Sequence, residues 1–365
     1  MSEDISRVFR SAGSVLSFLP RSAAFFYNNQ LQTMKTVSRL DGNIFLMDYK
    51  YDYDIDDLLK NGISSTAQLL GYACKKTLFG VKLLSLGEGS HACTTFNAFN
   101  ESGDHLLGRN FDYKEAPCMV VWTHPEGGYA SISVVDCNFM LYGNFNKPLR
   151  SMNRLQTLLA PYCCVDGMNE KGLAVAVVEI KSKPAKQNTG KTNITTTTVI
   201  RAVLDKAATV DEAVEIFRSF DMHDAFFCAY HYQITDAYGK SVILEYVDNE
   251  IKLIYPEERE EARPVQSAAN FFISPGGDNT KGFGYERAQA ADERLALTGG
   301  VLSERSAMNL LNDVHLNYRH RLGYQVITLW SAVYNSNKLT VDICARLNYN
   351  RTYTFSVTEP CKVIK

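Results

Sequence analysis

The apolar positions near the start of the chain predict an amphipathic helix over residues 3–19. They recur at helical spacing, acidic residues occupy the first turn, and Pro20 ends the pattern. The predicted apolar face consists of Ile5, Val8, Phe9, Ala12, Leu16 and Leu19. This face either packs on the body of the protein or contacts a membrane lipid surface or an apolar substrate entrance.

The rest of the first 92 residues combines one turn with further helical patterning. The pair Asp41-Gly42 is a turn signal between two strand-like runs, and residues 56–80 have a helical pattern interrupted at Gly62. We therefore expect a helix-rich segment that ends near residue 92.

From Cys93 onward the pattern changes to short β-like runs separated by Gly, Asp or Asn turns. Two helices interrupt these runs: one follows the capping box Thr209-x-x-Glu212, and the other starts near Ser303. The chain closes with a hairpin over residues 328–347. Many strands flanked by helices predict an α+β fold with sheets layered under helices, rather than a parallel α/β sheet.

Charge and cysteine content narrow the class of protein. The 38 basic and 40 acidic residues leave a formal net charge of −2, which excludes a global field for collecting nucleic acid. No run approaches the roughly 18 apolar residues of a membrane span. The nine cysteines are an odd number and include the adjacent pair Cys163-Cys164, so the sequence favours a reduced, cytosolic protein over a disulfide framework or a zinc site.

Cys93 stands at the border between the helix-rich and strand-rich parts and is a candidate nucleophile. A cysteine attacks a carbonyl as the thiolate, so a base must take its proton. His91 and His105 are near in sequence, but nearness in sequence does not supply the geometry of a partnered histidine. Cleavage of the Ala92–Cys93 bond would instead free an α-amine with a pKa of roughly 7.7 to 8.0, which can serve as the base.

Arg109 and Asp112 follow Cys93 after a turn at Gly103-Asp104, which would bring them beside it on a second strand. The guanidinium can favour the thiolate, and the carboxylate can hold the α-amine through a charge-assisted hydrogen bond. On spacing alone, a surface strand with an ion pair and a small core cysteine explain the same residues.

Five segments of the chain resemble, in the same order, the choloylglycine hydrolase superfamily of N-terminal-nucleophile (Ntn) hydrolases. The first, CTTFNAFNESGDHLLGRNFDY at 93–113, is similar to the start of the mature chain in that superfamily. The superfamily includes bile salt hydrolases, penicillin V acylase, acid ceramidase and N-acylethanolamine acid amidase. The other segments lie at 165–180, 234–246, 268–275 and 284–295.

The resemblance implies a role for each matching residue. Cys93 would be the nucleophile with its own amine as base, and Arg109 and Asp112 would tune and orient them. Asn270 matches the asparagine that donates its side-chain amide to the oxyanion, and Arg287 matches the late active-site arginine. With these matches, the resemblance favours a catalytic role for Cys93 over that of a small residue of the hydrophobic core.

Glu179 departs from the bile salt hydrolases, which carry asparagine ten residues after Asn169. In the family this position contributes a backbone N–H to the oxyanion hole, so a different side chain need not abolish catalysis. Glutamate there resembles the branch of acid ceramidase and N-acylethanolamine acid amidase. The alternative is a strand-end acid that faces water.

The resemblance also implies the architecture and the reaction. We expect an αββα Ntn-hydrolase sandwich, with two stacked antiparallel sheets between helical layers, over residues 93–365. Residues 1–92 would be a helical propeptide that stays attached after autocatalytic cleavage. The protein would hydrolyse linear N-acyl amides without a metal or organic cofactor, as a bacterial, cytosolic zymogen of this branch.

Several alternatives remain open at this point. The activity could be that of a bile salt hydrolase, a penicillin V acylase or an acyltransferase, and a non-catalytic acyl-lipid binder is the alternative from another class. The aromatic residues Trp122, Phe271 and Phe272 are candidates for substrate contact, or else pack within the sheets.

Overall fold

The computed structural model describes residues 21–77, 91–140, 151–257, 263–320 and 322–364. The predicted amphipathic helix over residues 3–19 lies outside these ranges. The part of the chain before Cys93 forms α1 (Arg21–Thr36), β1 (Ser38–Arg39), β2 (Ile44–Tyr49), α2 (Ile55–Asn61) and α3 (Thr66–Thr77). Gly62 ends α2 with a φ of 74°, as the helical pattern interrupted there predicts.

The part from Cys93 onward is rich in strands. In chain order these are β3 (Ala92–Phe99), β4 (His105–Lys114), β5 (Cys118–Thr123), β6 (Ser131–Asp136), β7 (Asp166–Asn169), β8 (Ala174–Ile180), β9 (Asn193–Thr195), β10 (Asp221–His223), β11 (Ala229–Thr235), β12 (Ser241–Val247), β13 (Glu250–Ile254), β14 (Ser267–Ala268), β15 (Asn317–Arg319), β16 (Gln325–Asn335), β17 (Thr340–Ala345) and β18 (Thr352–Ser356). The helices are α4 (Cys137–Met140), α5 (Ser151–Gln156), α6 (Thr196–Lys206), α7 (Val210–Ser219), α8 (Tyr285–Leu297) and α9 (Glu304–Asp313).

The strands form two large sheets. The first has nine strands in the order β1-β2-β5-β6-β7-β8-β11-β12-β13, and the second has seven, in the order β14-β3-β4-β16-β17-β18 with β15 beside β16. Within these two sheets, the described pairs are antiparallel except for β2 with β5. A short parallel pair, β9 and β10, lies apart from them.

The two sheets stack face to face and helices cover their outer sides. Strands β3 and β4 of the second sheet pack on β8 and β11 of the first. Helices α6 and α7 contact the first sheet, and α8 and α9 contact the second. The sequence of β8, AVAVVEI, is buried along its whole length because one of its faces meets the other sheet and the opposite face meets α6. The expected αββα sandwich is confirmed.

Two helix starts follow from their predicted caps. Thr209 Oγ1 accepts a hydrogen bond from the Glu212 amide at 3.2 Å, and the Glu212 carboxylate accepts one from the Ala208 amide at 2.6 Å. Ser303 Oγ accepts from the Ser306 amide at 3.1 Å and starts α9. The predicted C-terminal hairpin is the antiparallel pair β16 and β17.

The described residues before Cys93 are built into the sandwich. Strand β2 pairs in parallel with β5, from Ile44 opposite Cys118 to Tyr49 opposite Thr123. The Tyr53 hydroxyl lies 2.7 and 2.8 Å from the two carboxylate oxygens of Asp205 on α6. Within the described ranges, no helix has both the length and the apolar character needed to cross a membrane.

Candidate active site

The hairpin of β3 and β4 places the predicted catalytic residues together. Its register sets Cys93 opposite Phe111 and Thr95 opposite Arg109, so Cys93 and Arg109 share one face of the sheet. Asp112 lies opposite Ala92, one position away and on the other face. The turn contains Gly103 at a φ of 84°, a conformation that glycine adopts without strain.

Cys93 is 2% exposed and its backbone is fixed by two other segments of the chain. Its amide nitrogen donates to Asn270 Oδ1 at 3.0 Å, and its carbonyl oxygen accepts from Arg287 Nη1 at 2.6 Å. Burial raises the pKa of the thiol, and the positive charge of Arg109 acts against this rise. The backbone of Cys93 is therefore held in position, and burial favours the neutral form of its side chain.

Arg109 is fully buried between the two sheets. Its Nε donates to Asp166 Oδ2 at 2.5 Å, and its guanidinium lies 4.9 Å from the centroid of the Phe111 ring. Asp166 also accepts hydrogen bonds from Trp330 Nε1 at 3.0 Å and from the Tyr334 hydroxyl at 2.6 Å. These contacts exclude the alternative in which Arg109 belongs to a surface ion pair.

Asp112 is also fully buried. The Thr328 hydroxyl donates to its Oδ1, whereas its Oδ2 has no hydrogen-bond partner among the described residues and lies 3.6 Å from Arg287 Nη1. Burial raises the pKa of this carboxyl, and the charge of Arg287 opposes the rise. One carboxylate oxygen of Asp112 thus faces Arg287 without a hydrogen bond from any described residue.

Asn270 and Arg287 connect the Cys93 backbone to the first sheet. Arg287 Nη2 donates to Asn270 Oδ1 at 2.7 Å, and Asn270 Nδ2 donates to the Glu179 carbonyl oxygen at 2.7 Å. The close approach of Arg287 requires glycine at position 284, where an added Cβ would lie 2.3 Å from the guanidinium. Gly284 also has a φ of 82°.

Glu179 is the penultimate residue of β8, lies inside the protein and is 2% exposed, so the alternative of a strand-end acid facing water is wrong. Its Oε2 accepts from the His91 backbone amide at 3.1 Å and lies 2.8 Å from His91 Nδ1. The ring of His91 packs 4.0 Å from the Tyr113 ring, measured between centroids. His91 therefore fixes the chain just before the Ala92–Cys93 bond.

A small cavity of about 30 Å³ adjoins the Cys93 side chain. Its wall is largely apolar and includes Phe111, Phe139, Val177, Glu179 and Phe226. The His91 ring also lines it, with its centroid 5.4 Å from that of Phe139.

The predicted aromatic contacts lie elsewhere. Trp122 is fully buried on β5 and donates its Nε1 to the Ser356 carbonyl at 2.8 Å. Phe271 stacks on Tyr285 with ring centroids 4.2 Å apart, and Phe272 packs in a small cluster with Ile180. None of the three is among the residues that line the cavity beside Cys93.

Sequence reasoning passed over three contributors to this site. Asp166 lies inside the resembling segment 165–180 but carried no expected role there, although an acid next to a predicted strand could have been tested as a partner for Arg109. His91 was set aside as merely near in sequence. Thr328 has no distinguishing signal, because the fold alone brings it to Asp112 across 216 positions.

The comparisons with known proteins agree with this geometry. Residues 93–259 match the model of a family described as linear amide C-N hydrolases, choloylglycine hydrolase family. This part of the chain, Cys93 onward, is therefore similar to the choloylglycine hydrolase family. It is thus a hydrolase that acts on linear amide C–N bonds. No curated protein sequence matched it.

Solved structures show the fold of the family. A mutant of the conjugated bile acid hydrolase from Clostridium perfringens has a TM-score of 0.51 at 16% identity, with 75% of this chain and 96% of that chain covered. A second variant of the same enzyme has a TM-score of 0.52 at 16% identity, with 75% and 97% covered. The Ntn-hydrolase sandwich of this chain is therefore similar to the fold of this bile acid hydrolase.

Proposed function

We propose that this protein is a cysteine Ntn amidase that hydrolyses N-acyl amides after autocatalytic cleavage before Cys93. The observation that carries the proposal is the arrangement around the Cys93 amide nitrogen. This nitrogen is bonded to Asn270, and Asp112, whose Oδ2 has no hydrogen-bond partner in the described chain, lies opposite the preceding residue. A free α-amine at this position would find both an acceptor and a counter-charge.

Cleavage is the first step of the proposal. The Cys93 sulfur attacks the Ala92 carbonyl carbon, the carbon–nitrogen bond breaks, and the proton lost by the thiol passes to the released amine. Water then hydrolyses the resulting thioester, which leaves a carboxylate on Ala92 and a free thiol on Cys93. The contacts of Glu179 with the amide and the ring of His91 support this step because they hold the scissile bond in place.

Substrate hydrolysis repeats the same chemistry with the α-amine as base. The amine takes the thiol proton, the thiolate attacks the substrate carbonyl, and the amine product leaves with that proton. Asn270 Nδ2 is the side-chain donor proposed for the oxyanion, together with the backbone N–H of Glu179. The buried Arg109 guanidinium favours the thiolate, and water completes the cycle by hydrolysing the acyl thioester.

The proposal includes a leader that stays bound after the cut. Parallel pairing of β2 with β5 and the contact of Tyr53 with Asp205 support this, since neither depends on the Ala92–Cys93 bond. It also includes a reducing, cytosolic setting, which the unbonded state of all nine cysteines favours. Contact of residues 3–19 with lipid stays a prediction.

For the substrate we propose an amide with a flexible apolar acyl chain, as in the acid ceramidase and N-acylethanolamine acid amidase branch. Two features support it: Glu179 in place of asparagine, and the apolar wall of Phe111, Phe139, Val177 and Phe226 beside Cys93. Each buried methylene contributes roughly 0.8 kcal/mol, so a few carbons of acyl chain would dominate selection.

The test compares kcat/KM for N-acyl amides of rising chain length with that for glycocholate and penicillin V, using wild type and Cys93→Ala. We expect kcat/KM to rise with chain length in the wild type, and the variant to be inactive. A preference for glycocholate or penicillin V would assign one of the alternative activities. Turnover by Cys93→Ala would overturn the proposed mechanism, and transfer of the acyl group to an added amine would reveal an acyltransferase.

A further inference from the structure

A buried acid and a buried histidine lie behind the site and have no part in the proposed chemistry. Glu245 on β12 and His231 on β11 lie opposite each other in the register of these strands, and both are fully buried. His231 Nδ1 lies 3.0 Å from Glu245 Oε1. Burial raises the pKa of the Glu245 carboxyl, but the hydrogen bonds and the nearby charge of His231 outweigh this effect and hold the pKa below its usual value. Glu245 is therefore a charged acceptor inside the protein.

The Glu245 carboxylate also accepts hydrogen bonds from two consecutive backbone amides. Its Oε1 accepts from the Ile273 amide at 2.9 Å, and its Oε2 accepts from the Ser274 amide at 3.0 Å. These two amides belong to the segment that follows Asn270, the side-chain donor proposed for the oxyanion. Glu245 thus fastens this segment to β12 of the first sheet.

The segment between Asn270 and this anchor is compact. Only two residues separate Asn270 from Ile273. One of them, Phe272, is bridged by the Asn279 side chain, whose Oδ1 accepts from the Phe272 amide at 2.6 Å and whose Nδ2 donates to the Phe272 carbonyl at 2.8 Å. Position 277 requires glycine, because an added Cβ would lie 2.3 Å from the Phe272 side chain. A displacement of the anchor is therefore transmitted to Asn270.

Asn270 lies on a segment that connects the two sheets. Before it, β14 pairs with β3 of the second sheet, with Ser267 opposite Phe96. After it, Glu245 holds the chain on the first sheet. Between these two attachments the Asn270 side chain accepts from the Cys93 amide at 3.0 Å. The position of Asn270 Nδ2 relative to the Cys93 sulfur therefore depends on both attachments.

We propose that Glu245 is a positioning residue that holds Asn270 in place for oxyanion stabilisation. This inference rests on the proposed function, in which Asn270 Nδ2 donates to the oxyanion. Such a donor is effective when it is in place before the reaction begins, and a displacement of about 1 Å can cost roughly a hundredfold in rate. Because the interaction is made mainly in the transition state, its loss lowers kcat and leaves KM nearly unchanged.

The first test is the substitution Glu245→Gln. Glutamine has the size of glutamate, but one of its two terminal atoms is an NH₂ donor, so it cannot accept from both the Ile273 and the Ser274 amides. For an N-acyl amide substrate, kcat should fall about 10- to 100-fold, and KM should stay within about twofold of the wild-type value.

The matched control is Asp221→Asn. Asp221 is also a buried carboxylate that holds a loop through consecutive amides, since its Oδ2 accepts from those of Thr189 and Lys191 at 2.7 and 3.2 Å. That loop lies beside β9 and β10 and does not carry Asn270. The control should retain the wild-type kcat.

Octanal and octan-1-ol separate oxyanion stabilisation from the general integrity of the fold. The Cys93 sulfur adds to the aldehyde carbon, and the thiol proton moves to the former carbonyl oxygen, which then lies where the oxyanion of the reaction would form. The alcohol has a chain of the same length but cannot form this bond. Calorimetric titration should show that Glu245→Gln binds octanal about tenfold more weakly than wild type and binds octan-1-ol equally well.

A second variant, Asn279→Ala, releases Phe272 from its bridge and decides the inference if Glu245→Gln does not fold. Because it loosens the same compact segment, it should lower kcat and weaken octanal binding while leaving KM and octan-1-ol binding nearly unchanged. Wild-type values of kcat and of octanal affinity in this variant would contradict the inference.

Equal octanal affinity in wild type and Glu245→Gln, or an equal loss of affinity in Asp221→Asn, would overturn the inference, while hydrolysis of the amide by wild type sustained the proposed function. If wild type hydrolysed no N-acyl amide, the proposed function would fail instead. The octanal titrations then decide the inference. Tighter binding by wild type than by Glu245→Gln supports it, and equal binding contradicts it.

Discussion

Asp112 is the residue whose proposed role can be tested most directly by substitution. Its Oδ2 has no hydrogen-bond partner among the described residues, and the residue lies opposite Ala92, which precedes the nitrogen that the proposed cleavage would free. Asp112→Asn keeps the size of the side chain but cannot hold an ammonium group by charge, so kcat/KM should fall by roughly two to three orders of magnitude. Steady-state kinetics on an N-acyl amide measures this effect.

The matched control for this substitution is Asp313→Asn, on the surface pair with Arg294. This control should retain full activity, and both variants should show cooperative thermal unfolding. If Asp112→Asn turned over substrate at the wild-type rate, Asp112 would be a structural partner of Arg287 and Thr328 only.

At this scale the sequence named candidate reacting residues, which the structure brings together, but not the residues that surround them. The resemblance alone named Asn270 as the oxyanion donor, and the structure brings it to Cys93 across 177 positions. Asp166 was missed because its role depends on the stacking of the two sheets, which places β7 against β4 and β16. No local sequence pattern predicts this contact between the two sheets.

Asp136 lies at the end of β6, directly before α4, and its carboxyl makes the stability of the protein depend on pH. Its Oδ1 accepts from the Asn138 amide at 2.8 Å at the start of α4, while burial raises the pKa of its carboxyl from 3.8 to about 6. Between these two pH values the folded state keeps a proton that the unfolded state has lost. The stability of wild type should therefore fall as pH rises from about 4 to 6, by roughly 3 kcal/mol from this group.

Chemical denaturation of wild type and Asp136→Asn across this pH range measures the effect. The variant lacks the titrating carboxyl. Its free energy of unfolding should therefore fall by roughly 3 kcal/mol less than that of wild type over this pH range. If the free energy of unfolding changed equally with pH in both proteins, the raised pKa assigned to Asp136 would be wrong. The two proteins differ only at this carboxyl, so the other buried carboxyls contribute equally to the pH dependence of stability in both.

The leader strand β2 makes a second prediction at the scale of elements. The proposed cleavage before Cys93 would break one covalent bond and would leave β2 paired with β5 and Tyr53 bonded to Asp205. The two fragments should therefore elute together in native gel filtration and separate in denaturant. Elution of the leader alone from freshly cut native protein would show that these contacts do not hold it.

Elements with local signals were predicted, and elements defined by tertiary contacts were not. The caps of α7 and α9 lie within a few residues and were found. Helix α6 begins with three threonines, whose β-branched side chains favour strands, and it is helical because it packs on β7 and β8. The strand-like run at β2 was recognised, but its parallel partner more than 70 positions away was not.

At the scale of the whole molecule, the site exists only where the two sheets meet. Cys93 and Arg109 come from the second sheet, Glu179 from the first, and Arg287 from the helix that covers the second. This placement leaves a small, largely apolar cavity beside the sulfur, and an open groove of about 490 Å³ adjoins that cavity.

The most direct test of the central claim is an intact mass spectrum of purified wild type, alone and after acid quenching during turnover of an N-acyl amide. The account predicts two chains, one of 92 residues ending at Ala92 and one of 273 residues beginning with Cys93. After quenching, the acyl group should be attached to Cys93 of the longer chain. The variant Cys93→Ala should remain a single chain of 365 residues. An uncut wild-type chain that still hydrolyses the amide, or an acyl group on another cysteine, would contradict the account.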